Sequence, residues 1–191
     1  MTSIYQHDQR ERSQKMKCAI ELSFAKSERD IEAVRGLMRE YLVWHQFRYS
    51  EFRDQLEKHV DYEAHELAID RLPGEYDSPK SCFLMARRGH DALGCVALRD
   101  LGEGIAEMKR MFVRPQAQGS GVGKRLATSL LKIADGLGYS TMRLNTGPLQ
   151  TEAVNLYQKL GFKVIKPYYE LPPALMERLV FMECDLMSTE V

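Results

Sequence analysis

The stretch Ile105-Ala106-Glu107-Met108-Lys109-Arg110-Met111-Phe112-Val113-Arg114-Pro115-Gln116-Ala117-Gln118-Gly119-Ser120-Gly121-Val122-Gly123-Lys124 passes from a strand pattern through a loop into a helix. Ile105 to Val113 reads as a strand, and Arg114 to Gly121 as a loop. Behind the loop Leu126, Leu130, Ile133 and Leu137 recur on one helical face, and Gly138 supplies a C-terminal stop. A helix N-terminus exposes unpaired amide N–H groups and the positive end of the helix dipole, so it favours an anion. Gly119, Gly121 and Gly123 let the backbone approach that anion and take up positive φ. Lys124, Arg125 and Arg114 add positive charge nearby.

Alone, three alternating glycines suit a flexible turn equally well. Two sharper nucleotide motifs fail on this stretch. A Walker A loop requires Gly-Lys-Ser/Thr, whereas Gly123-Lys124 is followed by Arg125. The dinucleotide fingerprint places its glycines as G-x-G-x-x-G in a first strand-to-helix turn. Here they fall at 119, 121 and 123, late in the chain.

Working outward, Ala19 to Phe24 reads as a first strand. Ser27-Glu28-Arg29-Asp30 resembles a capping box, with Ile31, Val34, Leu37, Met38, Tyr41 and Leu42 at helical spacing behind it. Ser50 to Leu72 is helix-compatible but highly charged, and Leu72-Pro73-Gly74 breaks it. Ser81 to Arg87 and Leu93 to Arg99, separated by Gly89-His90-Asp91, read as a hairpin. Downstream, Thr141 to Asn145 is strand-like, Thr151 to Leu160 helical, and Phe162 to Ile165 and Leu179 to Leu186 are strands. This order predicts an α/β (α+β) layer fold, a mixed sheet with helices packed on it.

Composition narrows the classes further. The chain has 191 residues, 44% hydrophobic and 28% charged, as expected of one soluble globular domain. Residues 1–17 read as a loose arm and 18–191 as a single domain. Lys+Arg and Asp+Glu both number 27, so no net charge points to nucleic acid or an anionic membrane. No apolar run approaches the ~20 residues of a membrane span, and Met1 to Lys17 lacks the apolar centre of a secretory signal. Cys18, Cys82, Cys95 and Cys184 are far apart, which favours a reducing cytoplasm over a disulfide framework; Cys82 and Cys95 read as core residues. His59 and His65 suit no single-face metal site, so no metal is expected.

Gln118-Gly119-Ser120-Gly121-Val122-Gly123 matches the pyrophosphate loop Gln/Arg-x-x-Gly-x-Gly/Ala of the GNAT superfamily of N-acetyltransferases. Ala106 to Pro115 resembles that family's fourth strand, Leu144-Asn145-Thr146-Gly147 its fifth, and Ala153 to Phe162 the following helix. The resemblance is specific from about Ile105 to Ile165 and consistent from Ala19 onward. It implies a central, mostly antiparallel sheet of six to seven strands flanked by helices and splayed between strands 4 and 5. Acetyl-CoA would lie in the splay as cosubstrate, its pantetheine arm paired with Met111, Phe112 and Val113 like an added strand. The amides of Gln118, Gly119, Ser120, Gly121, Val122, Gly123 and Lys124 would hold the pyrophosphate, with Asn145 and Asn155 beside the cofactor arm.

Acyl transfer to an amine requires loss of an amine proton, stabilisation of an oxyanion and protonation of the departing thiolate. By resemblance Tyr157 occupies the place of the family's general acid. Its helical face, shared with Ala153 and Leu160, equally suits a packed aromatic. Glu107 is the candidate base, and strict alternation would set it on one strand face with Lys109, Met111 and Val113. Its other reading is an ion pair with Lys109 or with a neighbouring strand. A strand-four backbone amide is the expected oxyanion donor. Tyr76, Glu75, His45, Tyr168 and Tyr169 are acceptor-pocket candidates by location.

The implied activity is N-acetylation of a small amine or amino-acid-like substrate by direct attack in a ternary complex. The alternatives are a non-catalytic acyl-CoA sensor and a peptide or protein N-acetyltransferase. Family analogy adds a homodimer as an expectation.

Overall fold

A computed structural model of the chain describes residues 19–52, 61–170, 176 and 179–187. Its first half contains β1 (Ile20–Phe24), α1 (Glu28–Arg48), α2 (Tyr62–Asp70), β2 (Cys82–Arg88) and β3 (Asp91–Gly102). There follow β4 (Ile105–Val113), α3 (Val122–Gly136), β5 (Thr141–Thr146), α4 (Thr151–Lys159), β6 (Lys163–Ile165) and β7 (Val180–Asp185). Short 3-10 turns sit at Ser50–Phe52, Gly74–Tyr76 and Pro115–Ala117. The expected helix over 50–72 is therefore represented by one such turn and α2, while residues 53–60 lie outside the described residues. The expected N-terminal arm and Cys18 lie outside them too.

The capping box forms as the sequence implies. Ser27 Oγ accepts the Asp30 N–H at 3.1 Å, and Asp30 accepts the Ser27 N–H at 3.2 Å. Such caps are worth about 1 kcal/mol each, and this one fixes where α1 begins.

One sheet runs in the order β1-β2-β3-β4-β5-β7-β6. Neighbours are antiparallel except β4 and β5, which are parallel and joined through α3, the crossover that a parallel pair requires. Their ladder is short: Ile105, Ala106 and Glu107 face Thr141, Met142 and Arg143. From Met108 to Val113 β4 runs on without β5 beside it. This is the splay that the resemblance implied.

The sheet is covered on both faces. Val96 and Leu98 of β3 pack with Leu126, Leu130 and Ala134 of α3. Cys95 and Ala97 of the same strand pack with Val34, Leu37 and Met38 of α1 and Ile69 of α2. Burial on both faces explains why β3 reads as a continuous apolar run instead of alternating. Cys95 and Cys184 are buried and Cys82 half-buried.

Two details depart from the simple periodicities. The buried stripe of α3 is Val122, Leu126, Ala127, Leu130, Leu131 and Ala134, while Leu137, at the C-cap, is 40% exposed. The 3.6-residue repeat carries the stripe round the helix, so position 137 has left the sheet. In β4, Cys95 pairs with Phe112 and Ala97 with Lys109, so Arg110 and Met111 together oppose Val96. This β-bulge, with Arg110 at φ 54°, breaks the strand's alternation. Met108, Met111 and Val113 pack on the α3 side, and Phe112 packs on the α1 side. Glu107 therefore does not share a face with Met111 and Val113 as strict alternation required, although it does lie beside Lys109.

Gly94 pairs with Val113, and a Cβ built on it falls 2.5 Å from the Phe112 carbonyl oxygen. Gly94→Ala should therefore destabilise the protein by about 1–3 kcal/mol through overpacking. The check is a urea midpoint lowered at unchanged m; an unshifted midpoint would mean that β3 and β4 separate there freely.

Candidate active site

The loop after β4 is built to leave its amides free. Pro115–Ala117 forms a 3-10 turn, closed by the Ala117 N–H on Arg114 O and the Gln118 N–H on Pro115 O. Gly119 (φ 74°) and Gly121 (φ 83°) then bend the chain into α3, and a Cβ at either would meet nothing within 4 Å. The first helical bond is Arg125 N–H to Gly121 O. Among the described residues, the amides of Gly119, Ser120, Gly121, Val122, Gly123 and Lys124 meet no protein acceptor. The free run thus begins one residue later than the sequence suggested. Gln118 instead braces the loop, its Nε2 donating to Val113 O at 3.0 Å.

Arg114 is engaged by protein partners. Its guanidinium donates to Glu40 at 2.7 Å and to Ala92 O at 2.7 Å, fastening α1 to the β3–β4 edge. Its N–H donates to Leu93 O of β3 at 2.9 Å, so the Val113 carbonyl faces the other way, into the splay. A Cβ on Gly123 would lie 3.6–3.7 Å from Met111, Val113 and Leu156, which places the loop against the unpaired part of β4 and against α4.

Tyr157 stands on the buried face of α4 with Ala153 and Leu160, its ring 5.7 Å from Phe162. Burial, with a smaller contribution from Tyr41, raises its phenol well above the usual range, so it stays protonated at neutral pH. Among the described residues its hydroxyl has no hydrogen-bond partner. Asn155 on the same helix is exposed.

At the fork of the splay, Glu107 is fully buried. Arg99, opposite it in the β3–β4 register, pairs with Glu107 Oε2, and Lys109 Nζ lies 3.7 Å from Oε1. Tyr168 donates its hydroxyl to Oε1 at 2.6 Å, and Asn145 reaches Oε1 at 3.4 Å while donating to the Tyr169 hydroxyl at 2.8 Å. Arg99 also pairs with Glu75 at 3.0 Å. The ion-pair reading of Glu107 is thus realised toward both Lys109 and the neighbouring strand. Asn145, expected beside the cofactor arm, has its side-chain amide committed to this network.

The family model of the "Acetyltransferase (GNAT) family" matches residues 39–162. This chain belongs to the GNAT acetyltransferase family. An uncharacterized N-acetyltransferase of Schizosaccharomyces pombe is 34% identical over 170 residues, covering 87% of this chain and 95% of the relative. An IAA acetyltransferase of Azospirillum brasilense is 38% identical over 109 residues, 56% of this chain and 70% of the relative. The PaiA N-acetyltransferase of Thermoplasma acidophilum, solved in complex with coenzyme A, superposes with TM-score 0.61 at 23% identity, over 87% of this chain and 99% of its own. The GNAT chain described here is accordingly an acyltransferase.

Within this GNAT fold several residues escaped the sequence reading. Arg99 could be found only from the β3–β4 register, and Tyr168 and Tyr169 were placed by location alone. Both tyrosine rings lie 5.3 Å from Phe181 of β7, which holds them over the fork. Tyr49, at the end of α1, packs so close to Gly147 that a Cβ there would fall 2.0 Å from its hydroxyl. Arg48 donates to Leu149 O at 2.8 Å and pairs with Glu152 at 2.9 Å. Among the described residues no group of three or more His, Cys, Asp or Glu is arranged to hold a metal ion, and no helix is long and apolar enough to cross a membrane.

His45 stacks on Tyr49 at 4.5 Å and lies 3.2 Å from the Tyr62 hydroxyl. Burial, then the charge of His65, lowers its pKa from 6.5 to about 4. Between those values the unfolded chain binds a proton that the folded one does not. Stability contributed by neutral His45 is therefore complete above pH 6.5 and lost as pH falls toward 4. Wild type should lose stability across that window more steeply than His45→Gln in parallel urea titrations; identical slopes would remove His45 from this role.

Proposed function

We propose that this GNAT acyltransferase, with residues 18–191 acting as one domain, transfers the acetyl group of acetyl-CoA to the amine of a small or amino-acid-like acceptor, by direct attack in a ternary complex. The observation that carries the reading is the run of six unengaged amides, Gly119 to Lys124, beside an unpaired strand edge. Those amides, the positive end of α3 and the two positive-φ glycines suit a diphosphate chemically. The exposed Lys124 and Arg125 add positive charge. Met111, Phe112 and Val113 supply the strand edge for an extended amide-bearing arm, as a sheet edge does for a peptide. The coenzyme A complex of the Thermoplasma protein and the acetyltransferase names of the curated relatives support the same carrier.

Acetyl-CoA, when bound, supplies the activated thioester. The chain's own groups handle charge and protons. Glu107 provides a buried negative charge toward the acceptor's amine. Tyr168, hydrogen-bonded to it, passes a proton inward to Glu107 as it takes one from the amine. A β4 amide beside the bulge stabilises the developing oxyanion. Tyr157, its phenol pKa raised by burial, gives its hydroxyl proton to the departing thiolate, and water returns a proton to the phenolate. Asn155, exposed on α4, would meet the carrier arm.

Saturating acetyl-CoA should raise the melting midpoint through linkage, by about 2.7 kcal/mol of stability at 100-fold over Kd. Gly121→Val should abolish that rise, and the absence of any rise in wild type would sink the cofactor claim. In a thiol-release assay Tyr157→Phe should lower kcat on the order of 10²-fold at near-unchanged acetyl-CoA affinity; unaltered turnover would leave Tyr157 as a packed aromatic. Glu107→Gln should lower kcat/KM for the amine on a similar scale while acetyl-CoA still stabilises the fold, and full activity would leave Glu107 as an ion-pair partner alone.

A further inference from the structure

Resting on the acyltransfer reading above, we infer that the acceptor carries a carboxylate as well as an amine, and that Arg110 holds that carboxylate in the cleft between α2, the turn Gly74–Tyr76 and β4. The cleft has a volume of about 330 Å³ and is lined by Leu67, Arg71, Glu75, Tyr76 and Arg110, among others. That is the lower end of the range found for small-molecule sites, roughly 300–1,000 Å³.

Lys109 is influenced by Glu107, Arg99, Arg110 and Glu75, so these five groups form one cluster. Three cations there face two carboxylates. Arg99 pairs with both Glu75 and Glu107, and Lys109 lies beside Glu107. Arg110 has no carboxylate partner among the described residues. Its Nε is enclosed without a hydrogen-bond partner, and its half-buried side chain lies beside the Tyr76 hydroxyl. A half-buried guanidinium with no carboxylate in direct contact gains from one, and a bidentate carboxylate is the group whose geometry its fork matches.

The backbone is bent to make this possible. Arg110 sits at φ 54°, a conformation that side-chain-bearing residues seldom adopt, within the bulge of β4. Regular alternation would have sent its side chain to the α3 face, away from Lys109. The bulge turns it toward Tyr76 and α2. The anion it awaits is therefore not the pyrophosphate, because the amide loop packs against Met111 and Val113 on the opposite face. Arg110 with Tyr76 receives an anion in the cleft, while the acceptor's amine reaches the fork, where Tyr168 stands on Glu107. A molecule bearing both groups satisfies both ends.

The test pairs each of the twenty standard amino acids with its carboxamide in the acetyl-CoA thiol-release assay on the full chain. At least one amino acid should exceed its carboxamide in kcat/KM by on the order of 100-fold. In Arg110→Gln that ratio should fall to near one, and Arg110→Lys should lie between. Acetyl-CoA should stabilise all three proteins against heating, which reports that each variant is folded. Equal rates for carboxylate and carboxamide in wild type, or a ratio untouched by Arg110→Gln, overturns the inference. Thiol release with no member of any pair, at intact acetyl-CoA stabilisation, overturns this substrate class and leaves the carrier reading standing. Loss of that stabilisation in wild type overturns the acetyl-CoA reading itself.

Discussion

The site depends on two neighbouring strands that part company after three residues. Ile105 to Glu107 are held to β5, and the next residues of β4 are not. At the fork sits a buried carboxylate with Arg99, Lys109, Tyr168 and Asn145 around it. A fork lined with apolar side chains would gain by closing. This one is filled with polar groups that pair with one another, and replacing them with a strand pair would strip those partners away. The gap is thus a product of polar packing as much as of strand geometry. It leaves an unpaired edge on one side and a charged floor on the other.

The bulge at Arg110 divides labour across that edge. Residues before it, Glu107 and Lys109, face α1 and α2, whereas Met111 and Val113 face α3. One extra residue therefore lets a single strand present charge toward one face of the sheet and an apolar wall beneath the glycine loop on the other. The loop needs that wall, because its glycines carry no side chains with which to anchor themselves.

Much of this was legible in the sequence. Ser27 with Asp30 marked the start of α1, Gly119 and Gly121 marked the loop, and the strand and helix order gave the layers. The resemblance around Gln118 to Gly123 carried the splay, which no periodicity encodes. What stayed hidden was whatever depends on register or on a break in register. Arg99 meets Glu107 only because the turn at Gly102–Gly104 fixes their pairing, and the bulge at Arg110 leaves no compositional mark. Arg114 counted as positive charge near the loop, yet its partner Glu40 lies 74 positions away in the chain. Tyr168 lies 61 positions from the carboxylate it serves. Long-range polar pairs of this kind have no local signature.

The contact between Tyr49 and Gly147 bears on how wide the cleft is. α1 is fastened near its middle to the β3–β4 edge through Glu40 and Arg114, and at its end to the segment after β5 through Arg48 and Tyr49. It therefore spans the fork as a rigid gauge whose two attachment points lie about 12 Å apart along its axis, at 1.5 Å per residue. The opening between β4 and β5 is set by the length of a helix, a dimension that thermal motion changes little. Such a cleft is shaped before anything enters it, and what distinguishes one occupant from another is left to the side chains at its floor.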